Sequence, residues 1–282
     1  MKFFNLEKKR VCYLPEHQNE IVNYFDDNED ATLVVSFDEF ILTEKPIDFN
    51  KVSEINIKKL MLSGNYHKTN ELGAFLKLST LIELDNRDIE LNYDFINFPN
   101  LEILRYTWQK KCLNISECKK LKELSLWSYK PKNQNLTEFS NLNSLVELRI
   151  IQSNIKSING IENLQNIREM VFIANKLLSF DDINCVFPNV EILHIESCKE
   201  IKIEKIIKLF PNIKDLNFFS SNEIESLRII LDNLKKLERL NVYNLKILES
   251  DNTYWKNYKN LKSFNFQDRK HHILKRKDFE NI

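Results

Sequence analysis

Few side chains in this sequence could do acid–base or metal chemistry. The histidines are His17, His67, His194, His271 and His272, and only His194 has a carboxylate, Glu196, at the two-residue spacing that sets both side chains on one face of a strand. A His–Glu pair becomes catalytic when it activates a nucleophile within hydrogen-bond reach, and no nucleophile at a recognisable elbow accompanies this one. The pair reads as polar contact with a partner, so no catalytic residue is assigned and an enzyme is not expected. Five residues separate Cys112 from Cys118, and neither C-x-x-C nor H-x-x-x-H spacing occurs, which leaves a metal site unsupported. With Gly64, Gly73 and Gly160 as the only glycines, the glycine-rich loops that cradle nucleotide phosphates cannot be built. No cofactor is expected.

Lys and Arg total 41 and so do Asp and Glu, so no global field draws the chain toward nucleic acid or an anionic membrane. The basic run Arg269, Lys270, His271, His272, Lys275, Arg276, Lys277 lacks the interleaved aromatics of a base-stacking platform and reads as a solvated tail. No uncharged stretch approaches the roughly 20 residues that span a bilayer, and the start MKFFNLEKKR has no apolar signal region. Neither membrane nor nucleic acid is the expected partner. The five cysteines are odd in number and scattered, unlike a disulfide framework, and the expected compartment is the cytoplasm.

The elements that must position any site come from a repeat. A template Φ-x-x-Φ-x-x-Φ-x-Φ, with Φ apolar, fits FPNLEILRY from Phe98, LNSLVELRI from Leu142, FPNVEILHI from Phe187, FPNIKDLNF from Phe210 and LKKLERLNV from Leu234. Full or close matches also start at 49, 78, 118, 164 and 258, which makes ten copies spaced 20 to 29 residues apart. Such a period marks a stacked array in which each unit buries its apolar face only against its neighbours.

This period and the L-x-x-L-x-L core resemble the leucine-rich repeat family, over roughly residues 49–266. The stretch Leu145–Ile167 is similar to the internalin-like subtype. IEKIIKLFPN and ESLRIILDNL carry helical spacing and are closer to the ribonuclease-inhibitor style. The resemblance implies an α/β leucine-rich repeat solenoid, with a curved parallel sheet on its concave face and helices and irregular segments on the convex face. The family's Asn or Cys after the strand is kept only at Asn175 and Cys198 among Gln109, Tyr129, Ser153, Asn175, Cys198, Ser221 and Leu245, so an irregular array is expected. Residues 1–48 read as an N-terminal cap with a helix over Glu16–Tyr24 and a strand over Thr32–Phe37. Residues 49–267 form the solenoid of about ten repeats, and 268–282 a C-terminal cap or tail.

Strand alternation turns the two Φ of Φ-x-Φ inward and their neighbours outward. Just after the strand core, one outward column reads Trp127, Ile151, Ile173, Glu196, Phe219, Tyr243, five of six apolar or aromatic. Beside it stand Arg105, Arg149 and His194, and a first column holds Glu83, Glu123, Glu147, Glu169 and Asp215. A basic partner surface would suit that acidic line, although Arg105 and Arg149 argue against a purely electrostatic grip. An apolar column facing solvent marks an interaction surface. The expected function is therefore non-catalytic binding of a protein partner on the concave sheet, with an inhibitor or immunity protein for a toxin or enzyme as the narrower reading. The alternative, in which residues 1–48 dock elsewhere, is a substrate-recognition adaptor of a larger assembly such as a ubiquitin ligase.

Overall fold

A computed structural model describes residues 4–5, 9–40, 49–64 and 72–279, and His67 falls outside them. The chain divides into two compact units, Met1–Trp127 and Ser128–Ile282.

The first unit is one sheet in chain order: β1 (Phe4–Asn5), β2 (Arg10–Cys12), β3 (Thr32–Ser36), β4 (Lys59–Ser63), β5 (Glu83–Asn86), β6 (Ile103–Thr107) and β7 (Glu123–Trp127). β1 runs antiparallel to β2, and every later pair is parallel. Alternation decides which side chains go in. Leu33, Leu60, Leu84, Leu104 and Leu124 align strand by strand and are fully buried. The segment read as a cap thus supplies β2 and β3 to the sheet. Between them runs helix α1 (Gln18–Asp27), which buries Ile21 and Phe25 one turn apart. Other returns are short 3-10 turns such as Phe95–Asn97 and Ile115–Glu117. Their buried rings fill the interior, with Tyr93 packed 5.5 to 5.6 Å from Phe95, Phe98 and Tyr106.

The second unit's main sheet holds β8 (Glu147–Ile151), β9 (Glu169–Ile173), β10 (Ile192–Glu196), β11 (Asp215–Phe219), β13 (Arg239–Val242) and β15 (Ser263–Phe266), all parallel. β12 (Glu223–Ile224) and β14 (Lys246–Ile247) make a second small sheet on the return side. Of the two return segments with helical spacing, the first gives α2 (Ile203–Leu209), which ends just before Phe210 and Pro211. The second shrinks to α3 (Arg228–Leu231).

Four successive strands end in the same device. Ser128, Gln152, Ala174 and Ser197 adopt left-handed backbone at φ 54°, 55°, 55° and 56°, each at a cost of about 1–2 kcal/mol for a residue with a Cβ. The geometry aims each N–H at the last carbonyl of the next strand: Gln152 N–H donates to Ile173 O at 2.8 Å and Ala174 N–H to Glu196 O at 2.8 Å. Immediately after, Asn175 is fully buried, accepts from Ser153 N–H and donates to Ile150 O, both at 2.8 Å. Cys198 takes the next place, its thiol pushed up to about 11 by burial. At the following repeat this inner ladder stops, because Ser220 rather than Ser221 is buried.

A second ladder runs along the template's third position. Asn166, Asn189 and Asn212 each donate at 2.8 Å to the carbonyl of the preceding repeat's second position, Asn143, Gln165 and Pro188. Gly160 is required where it stands: at φ 109° an added Cβ would lie 2.3 Å from Thr137 Cα.

Candidate partner-binding face

In the first unit, the outward face is set by β5, β6 and β7. Arg105, at the centre of β6, spans both neighbouring strands, donating to Glu83 at 2.6 Å and Glu123 at 2.8 Å. Burial works against its charge, yet the hydrogen bond and charge of Glu83, with Glu123 and Asp85, hold the guanidinium above its usual pKa. Arg87 reaches Asp85 at 2.8 Å and places its guanidinium 5.4 Å from the centre of the Trp127 ring, a cation–π contact. Trp127 is half-buried at the end of β7.

In the second unit, Ile151, Ile173, Glu196 and Phe219 stand in register at the ends of β8 to β11, each half-buried. Four strands at about 4.8 Å make this row about 14 Å long. Arg149 Nη2 lies 3.2 Å from Glu147 and 2.6 Å from Glu169, two acids directly opposite each other. Arg239 binds Asp215 at 2.7 Å. Val171 is buried between the longer side chains of Arg149 and His194 on its registered neighbours. His194 Nε2 lies 3.3 Å from Glu196, and its ring centre is 5.4 Å from that of Phe219.

Four outcomes bear on the sequence expectations. The alternation places Trp127, Ile151, Ile173, Phe219, Arg105, Arg149, His194 and Glu196 on outward positions, each half-buried. Tyr243, 40% exposed, lies in the turn after β13 instead of on the strand. The acidic column is not an open negative line: Glu83, Glu123, Glu147, Glu169 and Asp215 are each engaged by an arginine. Alternation also turns Arg87, Arg239, Asn241 and Asn265 outward, but it does not give their pairings: Arg87 with Asp85, Arg239 with Asp215, and Asn265 donating to Asn241 at 3.0 Å.

The outward face of each unit therefore offers apolar side chains beside neutralised ion pairs on hydrogen-bonded strands. Five apolar side chains more exposed than Tyr243, namely Ile96, Leu113, Leu177, Val186 and Ile273, all stand off the strands. Such scattered residues are ordinary for a protein surface. Among the described residues, no group of His, Cys, Asp and Glu has a metal-holding arrangement, and no helix is long and apolar enough to cross a membrane.

No family model and no curated protein matches the sequence. Solved structures do. An internalin (inlF) of Listeria monocytogenes is 17% identical over 92% of this chain and 86% of its own, with a TM-score of 0.46. A leucine-rich repeat protein of Leptospira interrogans is 16% identical over 91% and 87%, with a TM-score of 0.47. The plant peptide hormone receptor RGFR1, solved in complex with RGF2, is 18% identical over 92% of this chain and 46% of the receptor, with a TM-score of 0.45.

Proposed function

We propose that this leucine-rich repeat protein is a non-catalytic module that binds a protein partner on the outward face of its parallel sheet. The observation that carries the reading is the row of Ile151, Ile173 and Phe219, with Trp127 on the first unit: large apolar side chains kept partly open to solvent on strands whose other faces are core. Aromatic anchors with a polar rim are the residues that dominate protein interfaces. Ion pairs already closed within the face lower the desolvation cost of covering it, and His194 with Glu196 supplies a polar contact that fixes orientation. The pair serves no nucleophile in this reading, and catalysis plays no part.

An inhibitor or immunity protein for a toxin or enzyme is the narrower form of the proposal, since a hydrogen-bonded sheet face suits covering another protein's surface. The compartment that goes with this reading is the cytoplasm, since five scattered cysteines are unlike the dense, even framework of a disulfide-stapled domain. The adaptor alternative makes a different demand, that residues 1–48 dock elsewhere; the pairing of β3 with β4 along five residues favours a structural role for that segment.

Affinity capture from the native lysate, comparing the wild type with Trp127→Asp/Phe219→Asp, tests the reading. The double variant is expected to lose a retained protein while melting within several degrees of the wild type, because both side chains are only half-buried. Identical retention by both baits would remove this face as the binding surface.

A further inference from the structure

The charge of this chain is unevenly placed. Residues 235–282 hold twelve Lys and Arg against six Asp and Glu, a net of +6, so the first 234 residues carry −6. Some of these cations are occupied: Arg239 with Asp215 and Lys262 with Glu238, both at 2.7 Å, and Lys246 with Glu223. Lys275 turns inward and donates to the carbonyls of Arg269 and His272 at 2.6 and 2.7 Å. Lys235, Lys236, Lys259, Lys270 and Lys277 are exposed, and none is in an ion pair among the described residues.

Two of these lysines border a cavity of about 270 Å³ with a floor of Leu231, Leu234, Leu237 and Leu261. Its origin is visible by comparison with the same groove higher in the unit, which is lined by Leu164, Gln165, Ile167, Val186, Phe187 and Pro188 and closed to about 10 Å³. Position by position, Gln165 becomes Lys235, Val186 becomes Asn257, Phe187 becomes Tyr258 and Pro188 becomes Lys259. Phe187 is 4% exposed and fills its groove. Tyr258 is half-buried, its hydroxyl donating to Asp232, and the space stays open. The repeat plan has here been altered at four positions, and the changes together leave an apolar slot with two ammonium groups at its rim.

We infer that this slot and the lysines around it form a second docking surface, separate from the outward sheet face, for an acidic protein segment that inserts an apolar anchor side chain between Lys235 and Lys259. The volume lies below the ~300–1,000 Å³ of small-molecule pockets, which suits an anchor residue better than a cofactor. A nucleic acid fits less well: the one surface ring at the slot, Tyr258, is tied to Asp232 and does not offer the free aromatic face on which a base stacks. Acidic side chains flanking the anchor meet the exposed ammonium groups of Lys235, Lys236 and Lys259, a complementarity that also speeds encounter at low salt.

The test uses the full chain and four probes: a short labelled peptide of Glu and Asp around a central Leu-Phe pair, the same peptide with Ser-Ser at the centre, oligouridylate, and vesicles containing phosphatidylserine. The apolar-centred peptide is expected to bind more tightly than the other three and to weaken as salt rises. Lys235→Glu/Lys259→Glu should weaken it by about tenfold or more, while the charge-matched Lys51→Glu/Lys77→Glu, on exposed residues of the first unit, leaves it unchanged. Circular dichroism melts confirm that both variants fold. Equal binding of the two peptides, stronger binding of oligouridylate or vesicles, no difference between the double variants, or no peptide binding would each overturn the inference. Because Trp127 and Phe219 are untouched, these outcomes stand apart from those for the sheet face.

Discussion

Arg149 shows what a single side chain does on this face. Glu147 and Glu169 are direct cross-strand neighbours, a like-charge pair that destabilises a sheet, and Arg149 sits between them at 3.2 and 2.6 Å. Arg149→Ala should therefore cost about 1 kcal/mol by denaturant unfolding in low salt, and the deficit should shrink in 1 M salt, where charges are screened within ~3 Å. A salt-independent loss would mean that the arginine acts through packing. That Glu147, Arg149 and Glu169 lie outward was legible from two-residue alternation. Their pairing was not, because it depends on which residues the register sets opposite one another.

At the scale of the element, the strand-ending turn is the recurring local decision. Ala174 at φ 55° pays the left-handed cost without the side-chain hydrogen bond that Asn uses to offset it. Ala174→Gly should stabilise by about 0.5–1 kcal/mol, and Ala174→Val should destabilise by about 1–2 kcal/mol, read from urea midpoints at constant slope. If Gly destabilises, chain entropy outweighs strain at this turn. The same scale explains why the second helical segment shrank to α3: the spacing in ESLRIILDNL needs only Leu227, Ile230, Leu231 and Leu234 buried, which one short turn achieves. It also explains the missed asparagine ladder. Asn166, Asn189 and Asn212 share a template position, yet a search for Asn after the strand passes them by.

For the molecule as a whole, stability in a stacked array is a sum of local neighbours, so a weakness in one repeat opens that region first. His272 is such a place. It is 3% exposed, its ring centre lies 5.6 Å from that of Trp255 and 6.0 Å from that of Phe266, and neither nitrogen makes a well-formed hydrogen bond. Burial, with His271 and Lys275 nearby, lowers its pKa below the usual 6.5, against a weaker opposing pull from the Ile247 backbone and Asp268. Folding thus favours the neutral ring: its contribution is complete above the unfolded value near 6.5 and is lost as pH falls through the lower folded value. The melting temperature should drop as pH falls below about 6.5, and His272→Phe should flatten that slope. An unchanged slope in the variant would place the acid sensitivity elsewhere.

The repeat period, the parallel strands and the inward or outward direction of nearly every strand residue were determined by the sequence alone, because alternation and a recurring apolar template are local properties. The tertiary structure decided what locality cannot reach. It set which acid each arginine serves and turned Tyr243 off its strand. It drew residues 32–36 into the sheet, and it opened one groove where its equivalent is closed. Most of these depend on residues one repeat apart meeting across neighbouring strands, and on which side chain is large enough to fill the space between them.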